Sequence, residues 1–155
     1  MTEDELVRVV SALPHVTGQT ASEATCAPEV AWGDTFFHYE PDGETDRMFP
    51  FATIVTQNYP GFDESSDLGR PDVYRLNLSV GRDRFQNLFG FPPAEFAAHR
   101  DEFDYAALDR LLPHPAYGQQ GWVSVLVPGA HTEDQVAVLI ATAYERAKTR
   151  YRPAR

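Results

Sequence analysis

The segment VYRLNLSVG at positions 73–81 alternates apolar and polar residues from Tyr74 to Val80. A period of two puts successive side chains on opposite faces, and only a strand satisfies it. Tyr74, Leu76, Leu78 and Val80 fall on one face, and Val73, Arg75, Asn77 and Ser79 on the other. Such a strand belongs to a sheet packed on one side and polar on the other. The rest of the chain must supply both its partner strands and an apolar cover.

The cover is readable at both ends. Thr2 with Glu5 forms a capping box ahead of Leu6, Val9, Val10 and Leu13 at helical spacing, and Pro14 stops that helix. Thr132 with Gln135 suggests a second capping box. Behind it, Val136, Leu139, Ile140, Ala143, Tyr144, Ala147 and Tyr151 form one stripe, which predicts a helix over 133–150.

Partner strands are expected at VAWGDTFFHYE (30–40), FPFATIVTQ (49–57) and WVSVLVP (122–128), the first two joined by the acidic turn EPDGETD (40–46) with its Asp-Gly pair. Residues 15–27 read as a loop or weak edge strand, and 58–72 as a long loop. RDRFQNLFG (82–90) has helical spacing closed by Gly90, and PPAEFAAHRDEF (92–103) suggests a short helix opening on proline. Asp104 should cap a further turn or two at 105–112, with Leu108, Leu111 and Leu112 inward. The order predicts a single α+β domain over 1–155: two layers, an antiparallel sheet with the N- and C-terminal helices on one face.

With 155 residues and 43% hydrophobic content, one such domain can bury its own core. The formal net charge of −10 opposes the phosphate backbone, so nucleic acid is disfavoured as a partner. The basic residues Arg146, Lys148, Arg150, Arg152 and Arg155 sit where cations complement a helix C-terminus. A single cysteine, Cys26, excludes an intrachain disulfide and a cysteine-rich zinc site. No apolar run reaches membrane-spanning length, and MTEDELVRVV lacks the pattern of a secretory signal, so a cytoplasmic protein is expected. GRDRFQNLFG (81–90) lacks the spacing of a phosphate loop, and no nucleophile elbow is present. The five histidines show no metal-ligand spacing. Neither cofactor nor metal is therefore expected. The acidic stretches at 40–46 and 63–67 read as solvated turns.

Two resemblances are carried by particular segments. LDRLLPHPAYGQQGWVSVLVPG (108–129) with AYERAK (143–148) resembles the MmcQ/YjbR-like group, in which a tryptophan opens the last strand and the final helix carries a small residue–Tyr pair. Trp122 and Ala143–Tyr144 stand at those positions. The whole chain also resembles a bacterial family defined as a domain of unknown function, through APEVAWGD (27–34), PFATIVT (50–56) and LLPHPAYGQQGW (111–122). The resemblance implies a double-wing, frataxin-like α+β domain. DNA binding has been suggested for that fold, and the acidity of this chain departs from it.

The candidate site is a face and a loop. The polar side of the 73–81 strand offers Arg75 and Asn77, and Trp32, Asp34 and His38 are expected on the same open face, with Trp122 and Ser124. Flat aromatics beside a few fixed polar groups suit a ligand. The alternative is a solvent-facing sheet with an Arg75–Asp34 cross-strand ion pair. The loop 112–122 adds His114, Tyr117 and Gln120 on a backbone stiffened by two prolines. The first reading is a soluble binding module for a small molecule or a protein partner. The second is a small enzyme with His114 or His38 as general acid/base. DNA binding comes third. The sequence leaves the oligomeric state open.

Overall fold

The computed structural model describes residues 1–43 and 49–153. Its strands are β1 (Val16–Thr20), β2 (Thr35–Tyr39), β3 (Ala52–Val55), β4 (Arg75–Ser79), β5 (Leu111–Pro113) and β6 (Trp122–Leu126). The α-helices among the described residues are α1 (Glu3–Ser11), α2 (Arg82–Phe89), α3 (Phe96–His99) and α4 (Glu133–Arg150). The strands form one antiparallel sheet in the order β1-β2-β3-β4-β6-β5. The result is a single α+β domain with its N- and C-terminal helices on one face.

Register explains the two faces. Ala52 pairs with Leu78 and Leu78 with Val123; Ile54 pairs with Leu76 and Leu76 with Val125. These rows, with Phe37, are buried against Leu6 and Val10 of α1 and Val136, Leu139, Ile140 and Ala143 of α4. The opposite side carries the rows Phe36–Thr53–Asn77–Ser124 and Val55–Arg75–Leu126, with Ser79 beside Trp122.

The ends of the fold are tied locally. Thr2 Oγ1 accepts from the Glu5 N–H at 3.2 Å while Glu5 Oε2 accepts from the Thr2 N–H at 2.8 Å, completing the expected box. The Tyr144 hydroxyl donates to the Pro14 carbonyl at 2.8 Å, joining α4 to the end of α1.

Several expectations are corrected. Residues 105–112 form no helix; Leu111–Pro113 instead makes the edge strand β5 on β6, and Leu108 is half exposed. Asp109 explains the change. Its backbone turns to φ 52°, and its carboxylate takes the N–H groups of Gly129, His131 and Thr132 and the Thr132 hydroxyl. Thr132 therefore gives its side chain to Asp109 and does not cap α4. The segment 92–103 breaks into single turns around α3. The aromatic strand begins at Thr35, because 29–33 turns before it. Residues 44–46 of the expected acidic hairpin turn, and Arg155 of the basic tail, lie outside the described residues.

The polar face is not an open solvent-facing surface. The long loop 56–74 folds back over one end of it. Leu68 packs there with Val55, Leu112 and Leu126, a second small core on the side away from the helices. Two backbone hydrogen bonds between Tyr59 and Asp63, each 2.9 Å, close a tight turn in which Gly61 takes φ 76°. Among the described residues no helix is long and apolar enough to cross a membrane.

Candidate functional site

Where that loop stops, the polar face becomes the floor of a cleft of about 990 Å³. Arg75 is its deepest charged group and is 1% exposed. A buried guanidinium needs a carboxylate and further acceptors to offset its desolvation. The folded-back loop delivers them. Asp63 accepts from Nη1 at 3.0 Å and from Nη2 at 2.6 Å, and Ser66 Oγ accepts from Nη1 at 2.8 Å. On β4, Asn77 Oδ1 accepts from Arg75 Nε at 2.8 Å and from Ser124 Oγ at 2.8 Å, while its amide donates to Thr53 Oγ1 at 2.9 Å. Thr53, Asn77 and Ser124 lie in one cross-strand row, so the network is fixed by register.

His114 forms the adjoining wall. The prolines at 113 and 115 hold its backbone, and Gly118 lets the loop close onto Phe96, where a Cβ would come within 2.7 Å of the ring. His114 Nδ1 accepts the N–H groups of Ala116 at 3.0 Å and Tyr117 at 2.9 Å. That assigns the ring proton to Nε2. Burial first, and the Arg75 charge second, hold its pKa well below the usual histidine value, so the ring is neutral at pH 7.

His114 Nε2 lies 3.4 Å from Arg75 Nη2. Both atoms are donors in this tautomer, so the contact is not a hydrogen bond between them. Four of the five guanidinium N–H groups have acceptors in Asp63, Ser66 and Asn77. The fifth, on Nη2, and the His114 Nε2–H lie side by side on the floor, and neither has an acceptor among the described residues.

The upper walls are aromatic: Phe36, Phe62, Tyr117 and Trp122. Tyr117 lies 5.8 Å from Phe62 and 6.4 Å from Trp122, ring centre to ring centre. At the far end α4 contributes Ala143, Arg146, Ala147 and Arg150.

Of the residues singled out from sequence, the fold brings Arg75, Asn77, His114, Tyr117, Gln120 and Trp122 around this cleft. Trp32, Asp34 and His38 lie elsewhere. Trp32 sits in the turn before β2, its indole N–H donating to the Ala27 carbonyl at 2.9 Å. Asp34 is buried but does not pair with Arg75; it accepts from the Thr56 N–H at 2.8 Å and the Tyr59 hydroxyl at 2.5 Å. Desolvation raises the Asp34 pKa against these bonds, and burial followed by the Asp34 contact lifts the Tyr59 phenol well above its ordinary range. His38 shares a side of β2 with Phe36 but stands opposite Thr17 on the edge strand, with its pKa lowered by burial.

The residues missed from sequence are Thr53, Tyr59, Phe62, Asp63 and Ser66. Asp63 and Ser66 fall in the acidic stretch expected to be solvated, and both are buried against Arg75. Buried arginine without an acid on its own or neighbouring strands is the signal that points to the loop. His99 stacks on Phe91 at 4.0 Å and bonds to Glu102. Among the described residues no group of three or more His, Cys, Asp or Glu could hold a metal ion.

The fold and site thus define a small α+β domain with a helix-packed face and a polar cleft on the other. The chain belongs to a family of unknown function (DUF6194), whose model matches residues 1–155. A comparison with curated proteins finds no match.

Proposed function

We propose that the protein is a small-molecule binding module whose ligand lies in the cleft and places an acceptor oxygen between Arg75 Nη2 and His114 Nε2. The carrying observation is two buried nitrogens 3.4 Å apart, each with an N–H that has no acceptor among the described residues. Unmet buried donors cost free energy, and a ligand oxygen relieves both at once. Aromatic walls around a few fixed polar groups are the composition of a ligand pocket, and the cleft volume suits a metabolite-sized molecule.

His114 acts in this reading as a neutral hydrogen-bond donor. A general base needs a free ring lone pair, and its one lone pair already receives two backbone N–H groups. The reading keeps a bacterial, cytoplasmic setting and kinship with the MmcQ/YjbR-like group, supported by Trp122 at the start of β6 and Ala143–Tyr144 on α4. The acidity of the chain argues against DNA as the ligand.

The test is a thermal-shift screen against metabolites, with each hit repeated in Ala147→Trp, which fills the cleft from α4. A ligand at about 100 times its dissociation constant adds roughly 2.7 kcal/mol of stability. We expect hits that vanish in the variant. No hits, or hits indifferent to the variant, would overturn the reading in favour of a protein partner at the exposed Phe49, Phe62 and Tyr117 around the mouth.

A further inference from the structure

Arg146 and Arg150 stand one helical turn apart at the α4 end of the cleft, and neither has a carboxylate partner among the described residues. That is unexpected in a chain with 23 acidic residues against 13 basic ones. Like charges at this spacing repel, so the pair is maintained at a cost. Arg146 is also fixed in place: its Nη1 donates to Ser79 Oγ at 3.0 Å, and its side chain lies against Gly81, where a Cβ would come within 2.5 Å of Nε. Burial and the Arg150 charge both disfavour its charged form, a penalty that an anion would remove. At the other end of the cleft, the Arg75 charge is already matched by Asp63. Among the described residues lining the cleft, the positive charge without a carboxylate partner therefore lies at the α4 end.

We propose that the cleft is specific for an elongated anionic ligand, with its acidic group on Arg146 and Arg150, its flat apolar body between the aromatic walls, and a neutral oxygen on the Arg75–His114 donors. This rests on the cleft being a binding site, and adds the ligand's charge and orientation. The Arg75–His114 donors and the arginine pair lie at opposite sides of the cleft, since His114 stands beyond Trp122 at the end of β5 while Arg146 reaches Ser79 on β4. Guanidinium groups bind carboxylate, sulfonate and phosphate in the same two-point geometry, so the acid is defined by its charge.

The probe is anilinonaphthalene sulfonate, which carries one anion on an aromatic body. The comparison is phenylnaphthylamine, the same rings without the sulfonate. Both are titrated by fluorescence into the full chain, and into Arg146→Ala/Arg150→Ala and Ala147→Trp, with near-UV circular dichroism confirming that each variant is folded. We expect the sulfonate to bind about tenfold or more tightly than the neutral compound, and to lose that advantage in the double-arginine variant and with added salt. The neutral compound should be unaffected by the arginine changes, and both should be displaced by Ala147→Trp. Equal binding of the two compounds, blocked by Ala147→Trp, would overturn the anion preference and leave the cleft reading intact. Binding that ignores Ala147→Trp, or no binding of either compound, would overturn both. If the double variant fails to fold, Arg150→Ala alone decides: this residue is exposed, and an unchanged sulfonate affinity there sinks the proposal.

Discussion

The two faces of one sheet are built on opposite principles. The helix-covered face is a continuous apolar layer of Phe37, Ala52, Ile54, Leu76, Leu78, Val123 and Val125. The loop-covered face is nearly as buried at its centre, yet its central residues are Arg75, Asn77, Ser124 and Thr53. Apolar layers tolerate exchange of one aliphatic for another of similar volume. A buried polar network stands only while every member is satisfied. The first face therefore supplies stability, while the second sacrifices some of it to hold donors in fixed positions. The difference separates what the fold needs from what the site needs.

That contrast can be broken most sharply at Arg75. Arg75→Ala strands Asp63 in a buried position and should destabilise by about 3–5 kcal/mol, read from urea unfolding. Replacing both partners, Arg75→Met with Asp63→Leu, should recover most of that stability while abolishing ligand binding. A double variant that still binds would show that the network serves the fold alone. On the other face, Leu76→Ala should cost about 2–5 kcal/mol by opening a cavity, with ligand affinity unchanged in the folded fraction.

A smaller effect follows from the histidines. His114 and His38 both have folded-state pKa values depressed by burial. Each protonates at lower pH in the folded protein than in the unfolded chain, where it does so near pH 6.5. Their contribution is fully present above that pH and is lost as pH falls toward the folded values. Each contributes a slope of up to about 1.4 kcal/mol per pH unit, and His114→Gln should remove the larger share.

The smallest effect concerns Asp109. Desolvation acts to raise its pKa, but the Thr132 hydroxyl and the His131 and Gly129 N–H groups prevail and hold it at about 2. Its contribution is present above about pH 4 and disappears as pH falls through about 2. Asp109→Asn should flatten acid unfolding in that window.

Much of this contrast is legible in the sequence at 73–81, where alternation assigns every residue of β4 to its face before any partner is known. The capping box at Thr2 and Glu5, the stripe of α4 and the PHPAYGQQGW loop are legible for the same reason, since each depends on neighbours close in sequence. Most of the failures are long-range. The leucines at 108, 111 and 112 have helical spacing, but Asp109 is drawn to the start of α4 twenty and more residues away. The misplacement of Trp32 and Asp34 is local: a turn bonded back to Glu29 and Ala31 holds them ahead of the strand. Asp63 looks like part of a solvated acidic turn until the loop is folded over β4, twelve residues on. Turn chemistry marks where a chain bends and says nothing about what the bend lies upon.

The most direct measurement is the protonation of the His114 ring nitrogens, by nitrogen-detected nuclear magnetic resonance near pH 7 with and without a hit from the thermal-shift screen. We expect a neutral ring with its proton on Nε2, and an Nε2–H signal that moves when the hit binds. A proton on Nδ1 would mean that His114 Nε2 accepts from Arg75 and that the two groups satisfy each other. No free donor would then face the cleft, and the central claim would be contradicted.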